Sequence, residues 1–344
     1  MSLARAIETG DLAQLPSRRD EDWHWTDLRG LLRALPPAPV PYRGALPEPR
    51  FAAFIEARIV NGEAPALIRV APGERQTASL RIIAAGEASA HVASATIEVA
   101  AGARLTLFET YEGLATGAVV EADIEIRLGE GARLERILLA EDASAEGVLV
   151  SRADVTLAAH AAFAQTVLTS GARRQRIETR VAHPGAGASA RLDGVYLLAG
   201  QRHADLTTVV THAGMDGTTD QLTKGVVSDQ ARGVFQGRIV VQPGADKTDA
   251  RMGHHALVLS DRAEVDAKPE LEIFADDVAC AHGNTVGALD EDALFYAEQR
   301  GIPEPEARAM LTEAFLGEVI DRIEHEGARE IARAWAAERL GGST

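Results

Sequence analysis

The sequence predicts a mainly β protein whose central part is a parallel β-solenoid, and three observations support this. Short runs rich in β-branched and aliphatic residues fill the chain from about residue 63 to residue 287, with almost no helical periodicity between them. Turns of small residues separate the runs. Gly73, Gly102 and Gly131 lie in three such turns at intervals of 29 residues, and Ala159-His160-Ala161 falls near the next multiple. A repeat of constant length is typical of stacked coils.

A β-sandwich also consists of short strands at regular intervals, so two architectures have to be compared. A sandwich of this length needs many hairpin turns, but the Asn-Gly and Asp-Gly pairs that favour them occur only at Asn61-Gly62, Asp193-Gly194 and Asp216-Gly217. Aromatic residues form 4% of the chain, and ladders of Val, Ile, Leu and Ala could fill a narrow solenoid with so few of them. The solenoid is therefore the preferred fold.

The composition of this 344-residue chain limits the classes of function. Acidic residues outnumber basic ones, 51 against 35, and the net charge of −16 would repel a nucleic-acid backbone. The chain lacks both a long uncharged apolar run and an apolar region in residues 1–20, so a cytoplasmic protein outside the membrane is expected. The single cysteine, Cys280, excludes an internal disulfide and a four-cysteine metal site built by this chain alone.

Three domains are expected in chain order: a helical segment and linker over residues 1–62, the solenoid over 63–287, and a helical domain over 288–344. In the first domain, leucines recur at helical spacing before a proline-rich stretch, at Leu28, Leu31, Leu32 and Leu35. Residues 51–59 fit either a short helix or an extended lead-in to the solenoid, and periodicity does not decide between them.

The last domain contains a helical stripe of apolar residues. Asp290 is expected to cap a helix over Glu291–Gln299, and Pro303 and Pro305 open the next helix. The stripe on that helix consists of Ala307, Met310, Leu311, Ala314, Phe315 and Val319. Such a face either packs against the end of the solenoid or docks a partner, and composition alone favours packing.

Few residues suggest catalysis. Asp276-Asp277 could serve a carbohydrate-active solenoid enzyme, but neighbouring strand residues point to opposite faces, so the two carboxylates would not converge. The ten histidines include the pair His254-His255, for which surface or turn positions are expected. Zinc-protease, nucleotide-binding and hydrolase motifs are missing from the sequence, which ranks the enzyme interpretation low.

The remaining candidate is the run Cys280-Ala281-His282-Gly283. On a strand, positions i and i+2 face the same side, so a thiolate and an imidazole could bind one soft or borderline metal together. Two ligands make half of a site. A buried free cysteine beside a hydrogen-bonded histidine gives the same pattern, and on spacing alone this packing interpretation is the better one.

This run lies within residues 271–287, which resemble the signature of the SufB/SufD family of iron–sulfur cluster assembly proteins. Other segments follow the family order: Lys224-Gly225, Gly233-Val234-Phe235-Gln236-Gly237, Lys247-Thr248-Asp249-Ala250, Leu257-Val258-Leu259-Ser260, Leu294-Phe295-Tyr296 and Arg300-Gly301-Ile302. Residues 19–28 are similar to the family's Arg-x-Glu-x-Trp-Lys-Tyr-Thr segment. The Cys-x-His-Gly form, the short length and the single cysteine resemble the SufD branch more than the SufB branch.

The resemblance implies a right-handed parallel β-helix flanked by small N-terminal and C-terminal α-helical domains, in agreement with the solenoid. It also implies a non-catalytic subunit that pairs with a SufB-like scaffold and docks a SufC-like ABC-type ATPase through its C-terminal helices. Met310, Leu311 and Phe315 are then expected to form the docking surface, which places docking above packing for this stripe.

The resemblance further implies that a transient iron–sulfur cluster forms at the interface with the SufB-like chain. His282 is then the candidate ligand and Cys280 a nearby interface thiol, and the second chain completes the half-site. The isolated chain would hold no cofactor of its own, and a flavin in the full complex stays open.

Two alternatives are kept: a cytoplasmic β-helix carbohydrate-active enzyme, and a homodimeric scaffold in which two copies of Cys280 and His282 meet. At one segment the sequence departs from the family pattern, so the family's residue roles are not assigned there. Arg251-Met252-Gly253-His254-His255 stands where the family commonly has Gln-x-Asn-x-Asn, so no family role is carried onto these residues.

Overall fold

The protein is described by a computed structural model over residues 1–142 and 144–341. Within these ranges, nine strands form one parallel sheet and eight strands form a second. Successive strands alternate between the sheets, so each coil of the chain adds one strand to each of them. This confirms the mainly β, parallel solenoid, and it excludes the sandwich.

The strands are numbered in chain order. The first sheet contains β1 (Ile55–Val60), β3 (Arg75–Ala84), β5 (Arg104–Gly113), β7 (Arg133–Asp142), β9 (Ala162–Thr169), β11 (Ser189–Leu198), β13 (Thr218–Val227), β15 (Asp249–Val258) and β17 (Ala279–Gly287). The second sheet contains β2 (Ala66–Val70), β4 (Ala90–Val99), β6 (Val119–Leu128), β8 (Val148–Leu157), β10 (Arg174–His183), β12 (His203–His212), β14 (Arg232–Val241) and β16 (Glu264–Ile273).

The 29-residue spacing corresponds to one coil. Arg104 pairs in register with Arg133 on the next strand of the first sheet. The turns between coils need a left-handed residue, and glycine supplies it at Gly102 and Gly131, whose φ angles are 66° and 64°. His160 adopts a φ of 57° in the following turn, which lies where the repeat predicted a turn.

Side chains alternate between the solenoid interior and its outer faces, and identical positions of successive coils stack into ladders. One interior ladder on the first sheet runs through Leu105, Leu134, Phe163 and Ala190, all of them buried. Small and aliphatic residues fill most of the interior, which explains how the core forms with few aromatics.

A buried ion pair interrupts the apolar interior. Arg136 donates to both carboxylate oxygens of Glu109 at 2.8 and 2.6 Å, and both side chains are fully buried. The Tyr111 hydroxyl donates to the same carboxylate at 2.6 Å, and Arg136 also donates to Gln165 Oε1 at 2.6 Å. Each charge is therefore neutralised and hydrogen-bonded, which burial of a charge requires.

Two buried histidines lie in contact at one corner of the interior. The rings of His183 and His212 are 4.3 Å apart between centroids, and both side chains are fully buried. His212 Nε2 lies 2.8 Å from Thr219 Oγ1, whereas His212 Nδ1 and both ring nitrogens of His183 lack a hydrogen-bond partner within the described residues. Burial lowers the pKa of His183 to about 3, with His212 adding to the shift, and burial lowers the pKa of His212 to about 4.

The N-terminal segment covers part of the outer face of the second sheet. Its helices are α1 (Leu3–Thr9) and α2 (Leu28–Leu31), and α2 is a single turn, shorter than the leucine spacing predicted. Asp27 caps α2 by accepting from the Gly30 amide, and Gly30 itself disfavours a longer helix. Downstream, residues 55–60 are extended, which decides that open question in favour of a strand.

Residues 19–28, which resembled a family motif, anchor this segment. Thr26 donates to the buried carboxylate of Asp205 at 2.5 Å, and Arg176 donates to the Asp22 carbonyl at 2.6 Å. The Arg176 guanidinium also lies 4.7 Å from the Trp23 ring centroid. The motif thus fixes the N-terminal segment to the solenoid.

The C-terminal helices are α3 (Glu291–Gln299), α4 (Glu304–Ile320) and α5 (Glu326–Gly341). α4 and α5 pack on the outer face of the first sheet, where Leu316 and Trp335 are fully buried among Ile137, Leu168 and Val195. The packing interpretation placed the stripe against the solenoid end, which is wrong, because the apolar strip that receives these helices lies along the side of the coils. Among the described residues, no helix combines the length and apolarity needed to cross a membrane.

Candidate functional site

The candidate site lies at the last coil of the solenoid, formed by β16 and β17. Within the described residues, β17 pairs only with β15 and β16 only with β14, so both strands have one unpaired edge. The interior side chains of earlier coils are covered by the next coil, but those of this coil are not. We call this surface the end face and define it by the inward-directed residues of the two strands: Val265, Ala267, Pro269, Leu271, Ile273, Cys280, His282, Asn284 and Val286.

The sequence placed Cys280 and His282 on the same side of one strand, and the structure agrees. Cys280 is in register with buried Ala250, and His282 is in register with buried Met252. Both therefore continue interior ladders. Cys280 is half-buried against the core, whereas His282 is exposed. The thiol and the imidazole are thus presented together on the end face.

The Cys280 thiol is shielded on one side. Burial raises its pKa, with Asp249 adding to the shift and a hydrogen bond from the Ala250 backbone opposing it. A thiol with a raised pKa is a weak nucleophile in the isolated chain and becomes a thiolate most readily when a metal binds.

The second-sheet side of the end face is apolar. Leu271 and Val265 pack partly against the core, and Ile273 is 41% exposed. Val286, at the far end of β17, is 47% exposed although its neighbour in register, Ala256, is buried. An uncovered apolar surface of this kind, next to unpaired strand edges, favours association with another chain.

Asn284 is a residue of the end face that the sequence did not single out. Its Oδ1 lies 2.6 Å from Nδ1 of His254, which precedes it in the same ladder. His254 is fully buried, and burial lowers its pKa to about 4. The expectation of a surface or turn position for His254 is therefore wrong: the residue lies on β15 and points inward. His255 points outward and lies 2.7 Å from Thr285 Oγ1 through its Nδ1.

The donor set of the end face fits part of a metal or cluster site. A thiolate and an imidazole are donors that suit iron–sulfur chemistry. Among the described residues, no group of three or more His, Cys, Asp and Glu side chains could hold a metal ion. Cys280 and His282 thus supply two donors, which is fewer than a complete metal or cluster site contains.

The apolar stripe on α4 divides between packing and exposure. Met310 is 51% exposed, whereas Leu311 and Phe315 are half-buried. Phe315 packs against the solenoid, and Lys224 Nζ lies 4.3 Å from its ring centroid. Phe295 on α3, 62% exposed, is a further apolar side chain on this side of the molecule. Of the three residues predicted for docking, Met310 is the one whose side chain lies mostly in solvent.

The two carboxylates considered for the alternative enzyme site are those of Asp276 and Asp277. Asp276 and Asp277 lie in the exposed loop between β16 and β17 rather than on a strand. Both carboxylates are on the rim of the end face, where they add negative charge. Because the two residues lie in a loop, the expectation that they point to opposite faces of a strand does not apply to them.

Residues 82–315 match the family described as the SufBD core domain of the SUF system for iron–sulfur cluster assembly. The chain is 44% identical over 122 residues to the iron–sulfur cluster assembly protein SufD of Escherichia coli, which covers 36% of this chain and 29% of that protein. It is 37% identical over 109 residues to SufD of Bacillus subtilis. The alignment covers 32% of this chain and 25% of that protein.

A SufBD family protein of Synechocystis is 43% identical over 107 residues, which is 31% of this chain and 24% of the relative. The aligned segments thus span between 24% and 29% of each relative's length.

Proposed function

The chain belongs to the SufBD core family of iron–sulfur cluster assembly proteins and is most like SufD, and we propose that it is the SufD-like subunit of a SufBCD scaffold complex. It would contribute one side of a cluster-building interface and perform no catalysis of its own. The observation that carries this proposal is the end face, where Cys280 and His282 stand uncovered on the last coil.

Pairing with a SufB-like β-helix would use the end face. Two unpaired strand edges offer backbone hydrogen bonds to a partner, and the apolar side chains between them would be buried on pairing. A partner with basic residues at its rim would match Asp276 and Asp277 in the adjoining loop. The proposal places this complex in the cytoplasm.

The nascent cluster would be cargo of the complex. His282 would bind iron through its imidazole, and Cys280 would lie beside the cluster as a second soft donor. The partner chain would supply the remaining ligands, since the isolated chain presents two. No resident cofactor is assigned to the isolated chain, and the visible spectrum of the purified complex would reveal a flavin if the complex holds one.

Docking of a SufC-like ATPase would use α3 and α4. Exposed Met310 and Phe295 are apolar side chains on an otherwise acidic helical unit, and two apolar anchors on neighbouring helices suit a partner groove. Because α4 is packed on the first sheet, movement of the ATPase would be transmitted to the coils that lead to the end face.

We expect His282→Ala to lower the iron and sulfide content of the co-purified complex at least about tenfold, because a direct ligand is lost. Pairing with the SufB-like chain should persist, since the apolar side of the end face is unchanged. Anaerobic iron and acid-labile sulfide analysis of the tagged complex provides the measurement. His255→Ala is the matched control, because this histidine lies on the outer face of the neighbouring strand.

A normal cluster content in the His282 variant would contradict the assignment of the ligand. Recovery of iron and sulfide on the chain purified alone as a two-fold dimer would instead support the homodimeric scaffold. Recovery of the chain alone and free of iron, from cells that contain the partners, would contradict the proposal as a whole.

We expect Met310→Asp to weaken binding of the ATPase subunit at least about tenfold, because a charge is placed in an apolar contact. Co-purification and titration by calorimetry measure this. Glu313→Ala, an exposed change on the same helix, should leave binding unchanged. Phe315→Asp is a poorer test, since Phe315 also packs on the solenoid and contacts Lys224. Unchanged binding by the Met310 variant would move the docking site elsewhere.

A further inference from the structure

We infer that Asn284 is a hydrogen-bond donor to the sulfur of the cluster at the end face, and that a buried chain through His254 and Tyr196 positions it. The inference rests on the proposed function and adds a residue to the same site. It assigns Asn284 the role of contacting the ligand and His254 the role of a positioning residue.

The three side chains form a continuous hydrogen-bond chain. The Tyr196 hydroxyl lies 2.8 Å from His254 Nε2, and His254 Nδ1 lies 2.6 Å from Asn284 Oδ1. Tyr196 and His254 are fully buried, while Asn284 is exposed on the last strand. The chain therefore runs from the solenoid interior to the end face.

The direction of the hydrogen bonds follows from the groups involved. Within the described residues, the buried Tyr196 hydroxyl has His254 Nε2 as its hydrogen-bond partner, so it donates to that nitrogen. The proton of the neutral ring is then on Nδ1, which donates to the carbonyl oxygen of Asn284. This fixes the amide group with its oxygen toward the interior and leaves its nitrogen for another acceptor.

The surroundings hold this arrangement rigidly. The His254 ring stacks on Phe235 with centroids 4.7 Å apart and planes 2° from parallel. The Tyr196 ring fills space that exists only because two neighbouring residues are glycines: a Cβ at Gly225 would lie 1.8 Å from Tyr196 Cζ, and one at Gly233 would lie 2.5 Å from Cε2. A side chain at either glycine would displace the Tyr196 ring.

The amide nitrogen of Asn284 lies on the same face as the candidate ligands Cys280 and His282. Asn284 faces the same side of β17 as His282 and Cys280, at positions i+2 and i+4 from them. Within the described part of the chain, the amide nitrogen of Asn284 donates no hydrogen bond. Sulfide and thiolate sulfurs of a cluster are acceptors, and hydrogen bonds to them raise its reduction potential by stabilising the extra negative charge of the reduced form.

The test is Asn284→Ala in the assembled complex, with the reduction potential and visible circular dichroism of the bound cluster as readouts. We expect a more negative potential and an altered dichroism spectrum at unchanged iron content. His254→Phe, which keeps the aromatic stack, should shift the potential in the same direction by a smaller amount. Both changes together should give no more than the Asn284 change alone, because His254 acts through Asn284.

The matched control is His255→Ala, which removes a hydrogen bond of the same kind between the same two strands but on the outer face. In the isolated full chain, ¹⁵N shifts of the His254 ring should report the Nδ1–H tautomer, and Asn284→Ala should move them. A potential and spectrum equal to those of the control would overturn the inference.

Loss of pairing with the partner chain by Asn284→Ala, with the potential of the remaining complex unchanged, would assign the amide to the partner backbone and also overturn it. The His282→Ala variant separates this failure from failure of the proposed function. If His282→Ala depletes the cluster and Asn284→Ala changes neither the reduction potential nor the dichroism spectrum, only the inference about Asn284 is wrong. If His282→Ala retains the cluster, the proposed site itself is wrong.

Discussion

Replacing Glu109 with glutamine is expected to lower the free energy of unfolding by about 3–5 kcal/mol, because it leaves the Arg136 guanidinium buried without a counter-charge. The glutamine amide would also present a donor where Arg136 donates. Arginine cannot escape this cost by losing its proton. Arg136→Met should cost less, since the carboxyl group of Glu109 can bind a proton and keep its hydrogen bond from Tyr111.

The stacked ladders suggest which replacements the interior accepts. Glu109 lies between Leu80 and Leu138 in register, and Arg136 follows Leu107. The double change Glu109→Leu with Arg136→Met should therefore recover most of the stability lost by Glu109→Gln, because leucine flanks Glu109 on both sides and Arg136 on one side, where its other neighbour is Gln165.

Urea denaturation of Glu109→Gln, Arg136→Met and the double variant measures this prediction, and the single variant Glu109→Leu completes a double-mutant cycle with the last two. Glu112→Gln, at a partly exposed carboxylate on the same strand, serves as a control for removing a charge. A loss smaller than about 1 kcal/mol for Glu109→Gln would mean that water reaches the pair, against the full burial of both side chains.

The second large effect concerns acid. We expect His183→Leu with His212→Val to make the protein more resistant to unfolding at about pH 5, by about 2 kcal/mol for each histidine. Val241 already fills the position in register with His212 in the next coil, so an aliphatic side chain fits there. Three ring nitrogens that lack partners within the described residues are removed as well, which favours the variant at neutral pH.

The two histidines destabilise the folded protein in acid because folding lowers their pKa values. Folding lowers the pKa of His183 to about 3 and that of His212 to about 4, whereas both lie near 6.5 in the unfolded chain. The unfolded state therefore binds more protons below about pH 6.5, and stability falls as the pH is lowered from there toward the folded values. Glu121 and Asp193, whose pKa values burial raises to about 7, act in the opposite direction.

Because Glu121 and Asp193 are present in both proteins, the difference between wild type and variant isolates the histidines. Thermal unfolding from about pH 7.5 down to about pH 4.5 should give curves that separate as the pH falls. His160→Ala, at an exposed turn, is the control. Parallel curves would show that the two histidines keep their ordinary pKa values in the folded protein.

The solenoid could be predicted because its signal is periodic. One coil length repeats at Gly73, Gly102 and Gly131, and each turn needs the same backbone conformation, so the repeat is visible without knowledge of any contact. The shared side of Cys280 and His282 followed from strand geometry in the same way. Both are properties of short stretches of chain.

Properties that depend on residues far apart in sequence were missed. The inward position of His254 requires Phe235 and Tyr196 from other coils, and its polar type alone suggested the surface. The apolar stripe on α4 did not predict which surface it packs against, and that surface is the outer face of the first sheet. The pairing of Arg136 with Glu109, 27 residues earlier, could have been sought by counting one coil back from each interior charge.

The uncovered last coil has a consequence for how much of this protein a cell can hold. A chain paired as proposed would bury its strand edges, whereas a surplus chain keeps them open and can associate with other surplus chains. Synthesis in excess of the partner is then a burden on chaperones and proteases, because they remove chains with exposed edges and apolar surface. Under the proposed pairing, the end face would couple the abundance of this chain to that of its partner, and balanced production of the two would follow from the fold itself.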